Sequence, residues 1–270
     1  MSNAVVHADI HGHAHAAHHP ALRHHFETMG QQKEAAVIGM WVFLLTEILF
    51  FGGLFAAYMV YRVWYFEAFA KASQSLEIFW GALNTAVLIG SSLTMAMAVR
   101  GAQTNKRTAT INWLILTMLL GCVFLGVKVI EYAEKIEHHH VPGFNYQWAS
   151  AHPAAALGAG EGDTTAGEHA APAAVAGTAE GYTPRRPMTA EELQLTTQIY
   201  FSLYFTMTGI HALHMIVGIG LMSVMTWMTW KGRFDSEYYT PVEMSGLYWH
   251  FVDIVWIFLF PLLYLVERHT

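Results

Sequence analysis

Five long runs of apolar residues, separated by polar segments, dominate the hydrophobic pattern of this chain. A helix needs roughly 20 predominantly apolar residues to cross the hydrocarbon core of a bilayer, and each run meets that requirement. Core helices of water-soluble domains are rarely so long and so apolar on every face. The pattern therefore predicts an all-α polytopic membrane protein, a bundle of five transmembrane helices at about residues 35–61, 79–99, 111–130, 199–230 and 244–266.

The ends of the predicted spans carry an aromatic signature. Tryptophan and tyrosine are enriched where a transmembrane helix meets the membrane surface. The chain has seven such residues near span ends, and we expect them to form interfacial belts: Trp64, Tyr65, Trp80, Trp113, Trp227, Trp230 and Tyr264. Pro261 lies inside the fifth span, where its ring removes one backbone hydrogen bond and favours a kink.

The polar segment at residues 1–34 is predicted to be a tail. It lacks the apolar stretch of a cleavable signal peptide, so the first span is expected to act as its own insertion signal. A histidine-rich tract is able to bind a transition metal. We favour a tail that buffers protons, because no packed frame fixes a coordination geometry. Its eight histidines are His7, His11, His13, His15, His18, His19, His24 and His25.

A second polar segment, at about residues 138–195, lies between the third and fourth spans. It is rich in Ala, Gly and Pro and has few large apolar side chains to offset the entropy of ordering. We therefore interpret it as a flexible insertion. The run of His138, His139 and His140 at its start is interpreted as solvated, with a surface metal site as the alternative.

Composition supports a membrane protein and excludes several other classes. Of 270 residues, 54% are hydrophobic and 13% charged, whereas soluble domains carry about 25% charged residues. The net charge of −6 offers no basic face for nucleic acid. The single cysteine, Cys122, excludes an intramolecular disulfide and any thiolate cluster for zinc or iron–sulfur.

Glu47 is the one charged residue of the first predicted span. A charge at that depth costs at least ~2.5 kcal/mol on insertion scales, so it needs a partner or a role. One interpretation is a proton relay or an anchor for lipid or a partner; the other is a carboxyl group hydrogen-bonded between helices for packing. His214 lies at a comparable depth if the first and fourth helices are antiparallel, which makes it a candidate partner.

Histidines and an aspartate share faces of the last two predicted helices. His211 and His214 are three residues apart, as are His250 and Asp253, so each pair lies on one helix face. A di-iron carboxylate site would need ligands from more helices, and a haem b held between His214 and His250 is the other alternative. We favour interhelical hydrogen bonding or protonic coupling over both.

Glycines within the spans permit close helix approach. Gly218 follows His214 by one turn, which favours tight packing beside that histidine. The other candidates are Gly39, Gly52, Gly53, Gly81, Gly90, Gly209 and Gly220.

Five segments, taken together, resemble subunit III of the haem–copper oxidases of the cytochrome c oxidase type. They occur in the family's order and cover all five spans: GMWVFLLTEILFFGGLFAAY (39–58), NTAVLIGSS (84–92), EY (131–132), TGIHALHMIVG (208–218) and YWHFVDIVWIFLF (248–260). The chain is similar to the five-span bacterial form, which lacks the first two helices of the fuller form. Where the family often has Gln ahead of the Glu-Tyr pair, this chain has Lys128.

The resemblance implies a non-redox subunit of a proton-pumping oxidase in the bacterial inner membrane. It implies no catalytic, metal or cofactor site on this chain, structural phospholipid beside it, and haems and copper on subunits I and II. The N-terminus would be cytoplasmic, and the insertion would face the periplasm, where cytochrome c or another respiratory complex is a candidate partner. A quinol oxidase subunit, a nitric-oxide-reductase accessory protein and a stand-alone haem b protein are the alternatives. The residues implied in lipid, packing or protonic roles are Glu47, Glu131, His211, His214, Trp249, His250 and Asp253.

Overall fold

The structure, a computed structural model, describes residues 20–137, 141–143, 146 and 188–265. These residues form helices and connecting segments, with no strand among them. Five helices are long and apolar enough to cross a membrane, which confirms the predicted all-α, five-span architecture. The six helices are α1 (Met29–Trp64), α2 (Phe66–Gln74), α3 (Ile78–Gln103), α4 (Arg107–Glu137), α5 (Ala190–Trp230) and α6 (Thr240–Tyr264).

The long helices extend beyond the apolar runs of the sequence. Helix α1 begins at Met29, inside the segment predicted as tail. The Thr28 side chain caps it by accepting a hydrogen bond from the backbone N–H of Gln31. Helix α5 begins at Ala190 behind a capping box of Thr189 and Glu192. Capping side chains stabilise the polar first turns of both helices. A prediction based on the length of an apolar run does not include such turns. Residues 1–19 and most of the 138–195 insertion, including His138, His139 and His140, lie outside the described residues.

Helix α2 is an element that the sequence interpretation missed. It is amphipathic, with Glu67 and Lys71 paired at 2.9 Å on its outer side and Phe69 fully buried on the other. The Phe69 ring packs against Tyr58 of α1 and Tyr200 of α5, with centroid separations of 5.4 and 5.3 Å. Helix α2 therefore covers the end of the bundle where α1 ends and α5 begins.

Four of the long helices form a closed ring in which α3 packs on α4, α4 on α5, α5 on α6 and α6 on α3. Trp249 of α6 fills its centre and is fully buried. A Cβ atom would lie 2.8 Å from its ring at Gly121 and 2.9 Å at Gly218, so both glycines are required by close approach. The Trp249 indole N–H donates to the Ser91 hydroxyl of α3 at 2.9 Å.

At several other glycines the described residues of this chain make no close approach. Gly81 is tightly packed, against Phe260 and Tyr264, but a Cβ would meet nothing within 4 Å at Gly39, Gly52, Gly53, Gly90 and Gly220. Sequence shows where a glycine stands in a span but does not show which side of its helix faces a neighbour.

Helix α1 lies outside the ring, against α5 and α6. At one end, Lys33 pairs with Glu243 of α6 at 3.2 Å. At the other, the Tyr58 hydroxyl donates to the Leu262 carbonyl at 2.7 Å, and Tyr200 donates to the Leu263 carbonyl at 2.9 Å. The Lys33 and Tyr58 contacts show that α1 and α6 are parallel. The two tyrosine hydroxyls also satisfy carbonyls in the last turn of α6, which have no partner within the helix. Helix α6 continues through Pro261, and the predicted kink stays a prediction.

Candidate functional site

Glu47 of α1 and His214 of α5 are in contact, as the antiparallel order of their helices predicted. Glu47 Oε2 lies 3.2 Å from His214 Nε2, and about four-fifths of each side chain is buried. His214 Nδ1 lies 2.8 Å from the Ile210 carbonyl oxygen. Because a carbonyl only accepts, the hydrogen bond to Ile210 requires a hydrogen on Nδ1, and Nε2 is the ring nitrogen that faces Glu47. The contact joins α1 to the ring.

Glu131 of α4 lies in a buried charged cluster made of Lys128, Glu131, Tyr204 and Tyr264. Lys128 Nζ donates to Glu131 Oε2 at 2.9 Å and to the Tyr264 hydroxyl at 2.7 Å. The Tyr204 hydroxyl donates to Glu131 Oε1 at 2.7 Å, and Tyr264 donates to the same oxygen. The Lys128 ammonium also lies 4.5 Å from the centre of the Trp256 ring. The cluster joins α4, α5 and α6 with both carboxylate oxygens satisfied.

Two of these residues were not anticipated in this role. Lys128 was noted as a departure from the family, and Tyr264 was predicted to belong to an interfacial belt, but Tyr264 is fully buried. That prediction is wrong because the Tyr264 hydroxyl has a charged partner inside the bundle. Trp64, Trp227 and Trp230 are exposed, as an interfacial belt requires.

Further contacts extend the polar end of the bundle. Tyr132, next to Glu131, lies 2.5 Å from the Thr208 hydroxyl of α5. Lys135, one turn beyond Glu131, donates to the Ser75 carbonyl after α2 at 2.6 Å. Polar groups therefore tie α4 both to α5 and to the chain segment that follows α2.

His211 lies in the core of the ring, 1% exposed. Its ring packs against Phe124 and Trp256 at centroid distances of 5.5 and 5.3 Å. Neither ring nitrogen has a hydrogen-bond partner among the described residues. Although His211 shares a helix face with His214, the two have different surroundings, and only His214 bridges to α1.

His250 and Asp253 face α3. His250 Nδ1 lies 2.7 Å from the Ser92 hydroxyl, and Asp253 is 2% exposed. The predicted residues thus occupy three places: the Glu47–His214 contact, the buried charged cluster, and the α3–α6 side. Trp249 and His211 pack in the ring between them.

The haem and metal alternatives meet a specific difficulty at His214. Both ring nitrogens of His214 lie within hydrogen-bond distance of protein oxygens. Neither nitrogen is therefore free to ligate a haem iron together with His250. Across residues 20–137, 141–143, 146 and 188–265, no three His, Cys, Asp or Glu side chains are grouped as a metal site would require. That this chain carries no metal or haem stays a prediction.

These features define a multi-pass membrane protein whose intramembrane polar residues join its own helices. The family model described as Cytochrome c oxidase subunit III matches residues 188–267, which include α5 and α6. This match and the relatives described next support the haem–copper oxidase subunit III family for the chain. Members of this family are accessory subunits that associate with other oxidase subunits.

Similar proteins serve two kinds of oxidase. The chain is 29% identical to "Cytochrome c oxidase subunit 3" of Thermostichus vulcanus over 94% of this chain and 92% of the relative. It is 27% identical to "Cytochrome bo(3) ubiquinol oxidase subunit 3" of Pseudomonas aeruginosa, over 85% and 84%. It is 26% identical to "Probable quinol oxidase subunit 3" of Staphylococcus haemolyticus, over 85% and 88%. The similarity to these relatives therefore leaves the electron donor open.

Proposed function

We propose that this chain is the non-redox subunit III of a proton-pumping cytochrome c oxidase that reduces oxygen to water. Catalysis, with its haems and copper, belongs to subunits I and II. This chain stabilises the redox subunit, holds structural phospholipid and assists proton uptake. The N-terminus is cytoplasmic, the C-terminus is periplasmic, and the insertion faces the periplasm of a bacterial inner membrane.

The observation that carries this proposal is the extent of similarity to relatives named cytochrome c oxidase subunit 3. Two such relatives, from Thermostichus vulcanus and Synechocystis, align over 94% of the chain. The two quinol oxidase relatives described above each align over 85%. The width of these alignments supports a subunit III, and the assay described below decides whether cytochrome c is the electron donor.

The arrangement of polar residues suits a stabilising role. The buried charged cluster and the Glu47–His214 contact join four of the five long helices, and their acids are engaged by neighbouring side chains. Polar groups used in this way make a defined helix arrangement, against which a redox subunit and lipid can pack. They do not need to touch oxygen or an electron donor to do so.

Proton uptake is the second proposed contribution. Imidazole titrates near neutral pH, so the histidines of residues 1–34 are suited to collecting protons beside the membrane surface. His24 and His25, the two within the described residues, are exposed. Exposure permits exchange with solvent.

The test is to purify the tagged chain in mild detergent and assay the co-purifying complex. We expect haem-containing subunits and oxygen consumption with reduced cytochrome c as donor. Oxygen consumption with a reduced quinol, and none with cytochrome c, would favour the quinol oxidase alternative instead. A Soret band on the chain separated from all partners would contradict the non-redox assignment and favour a stand-alone haem b protein.

A further inference from the structure

Five basic side chains lie at the end of the bundle where α3 and α5 end and α4 begins. Three of them stand within residues 100–110, a segment that has no acidic residue. The other two follow the last residue of α5. All five are exposed, and we call them the basic patch: Arg100, Lys106, Arg107, Lys231 and Arg233.

Contacts between the two chain segments make the basic patch one surface. The Arg107 guanidinium donates to the backbone carbonyl of Trp230 at the end of α5. A Cβ atom added at Gly232 would lie 3.7 Å from Nη1 of the same arginine. Lys106 and Arg107 also line one small cleft together with Phe234. The connector between α3 and α4 therefore meets the residues that follow α5.

The chain does not neutralise this surface. None of the five side chains forms an ion pair among the described residues, whereas Lys33, at the same end of the bundle, pairs with Glu243 at 3.2 Å. Two acids follow the basic patch in the chain. Asp235 Oδ1 accepts from the backbone N–H groups of Glu237 and Tyr238 at 2.9 and 2.7 Å. With both acids counted, the two segments still carry an excess of positive charge.

Two tryptophans indicate the depth of the basic patch in the membrane. Trp227 and Trp230 are exposed in the last turn of α5, and tryptophan favours the level of the lipid head groups. Lys231 Nζ lies 5.8 and 5.5 Å from the centres of their rings. The basic patch therefore lies where the anion within reach is the phosphate of a phospholipid. Lysine and arginine clustered beside a transmembrane helix attract anionic lipids.

We propose that the basic patch binds the head group of an anionic phospholipid in the leaflet at this end of the bundle. The lysine and arginine side chains donate to the phosphate. The acyl chains lie along the exposed apolar side of α5, which includes Val217 and Val224. This inference rests on the proposed role in holding phospholipid and adds the class of lipid and its place. Neither the electron donor nor the direction of insertion enters it.

Quenching of tryptophan fluorescence in the purified full-length chain, in a neutral detergent, tests the site. The probes are phosphatidylglycerol, which is anionic, and phosphatidylcholine, which has no net charge, with the same brominated acyl chains. Brominated chains quench the tryptophans that they contact, and Trp227 and Trp230 lie beside the basic patch. We expect phosphatidylglycerol to bind roughly 25-fold more tightly or better, and a higher ionic strength to reduce this preference. Equal quenching by the two lipids would overturn the proposal.

Two double variants separate the basic patch from a general effect of charge. Lys106→Gln/Lys231→Gln removes two charges of the patch, and Arg62→Gln/Lys71→Gln removes two at the other end of the bundle. Arg107 is kept because it bonds to the end of α5. Each basic residue beside an anionic surface contributes roughly fivefold, so the patch variant should bind phosphatidylglycerol roughly 25-fold more weakly. The control should bind it as wild type does, and an equal loss in the two variants would contradict a specific site.

The assembled complex distinguishes a lipid from an acidic segment of another subunit. A complex containing Lys106→Gln/Lys231→Gln should keep its haem subunits and yield less anionic phospholipid on extraction than the wild-type complex. Loss of a protein subunit with unchanged lipid content would assign the basic patch to a protein contact and overturn the proposal. If no haem protein co-purifies with the wild-type chain, the proposed function is refuted, while the lipid preference of the purified chain still decides this inference.

Discussion

Removing the charge of Lys128 should destabilise this protein far more than removing that of Lys71. Both lysines donate to a glutamate on the same helix at 2.9 Å, so the two ion pairs have matched geometry. They differ in burial: the side chains of Lys128 and Glu131 are 5% and 3% exposed, and those of Lys71 and Glu67 are 25% and 53% exposed. The comparison of Lys128→Met with Lys71→Met therefore tests the effect of burial, together with the contacts that Lys128 makes to Tyr264 and Trp256.

The expected magnitudes follow from that difference. Removing one partner of a buried pair leaves an uncompensated charge and costs about 3–5 kcal/mol, whereas an exposed pair contributes about 0–1 kcal/mol. A loss of about 3 kcal/mol lowers the thermal midpoint by about 6 °C or more on the scaling of soluble domains of this size. Tyr204 and Tyr264 still donate to Glu131 in Lys128→Met, which favours the lower end of the range.

The assay is thermal unfolding of the complete chain in one detergent, with the double variant Lys128→Met/Glu131→Gln as a third sample. The double variant has no unpaired charge at positions 128 and 131, so it should recover at least half of the loss. Equal small losses in Lys128→Met and Lys71→Met would refute the reasoning. A double variant that loses as much stability as Lys128→Met, or more, would also refute it.

Three further predictions concern Glu47, the tail and Gly218. Glu47→Ala should leave the haem spectra of the complex unchanged but lower retention of this subunit or shorten the active lifetime, whereas Glu47→Gln should assemble nearly as wild type. Immediate loss of oxygen reduction in Glu47→Ala, with full retention, would place Glu47 on the catalytic path. Replacing all eight histidines of residues 1–34 by Gln should preserve assembly and lower turnover more at high pH than at low pH; an unchanged pH–rate profile would exclude proton collection. Gly218→Ala should cost about 1–3 kcal/mol of stability by crowding Trp249, and Gly220→Ala, where a Cβ meets nothing within 4 Å, is the control expected to lose nothing in the same unfolding assay.

Sequence predicted the spans and the Glu47–His214 contact for a common reason. Apolar length alone identifies a transmembrane helix, and the alternation of direction from span to span makes the first and fourth helices antiparallel. Two polar residues near the middle of antiparallel helices then lie at the same depth. Only the adjacency of α1 and α5 had to come from the structure.

The buried charged cluster was less accessible to sequence reasoning. Lys128 and Glu131 are three residues apart, a spacing that places them on one helix face, and this was the signal available. Tyr204 and Tyr264 come from two other helices, and a tyrosine near a span end has the same sequence signature at a membrane interface as in a core. Their assignment depends on helix rotation, which packing fixes and a nearly uniform apolar pattern does not encode.

Helix α2 was not predicted because the criterion for a helix was an apolar run long enough to cross a membrane. Its nine residues are too few to cross a bilayer, yet their apolar and charged positions follow helical spacing. Ala68, Phe69 and Ala72 are fully buried, and Glu67 and Lys71 face outward. A search for short amphipathic segments between spans would have found it.

The buried charged cluster needs no neighbour to complete it. Where α4, α5 and α6 meet, Glu131 and Lys128 find their partners within the chain, and Tyr264 donates to the same carboxylate. The outer face of α4 is left with apolar side chains such as Leu119, which is 57% exposed. Substitutions on that face should therefore change lipid contacts rather than the charged cluster, and they should leave the thermal midpoint of the chain unchanged.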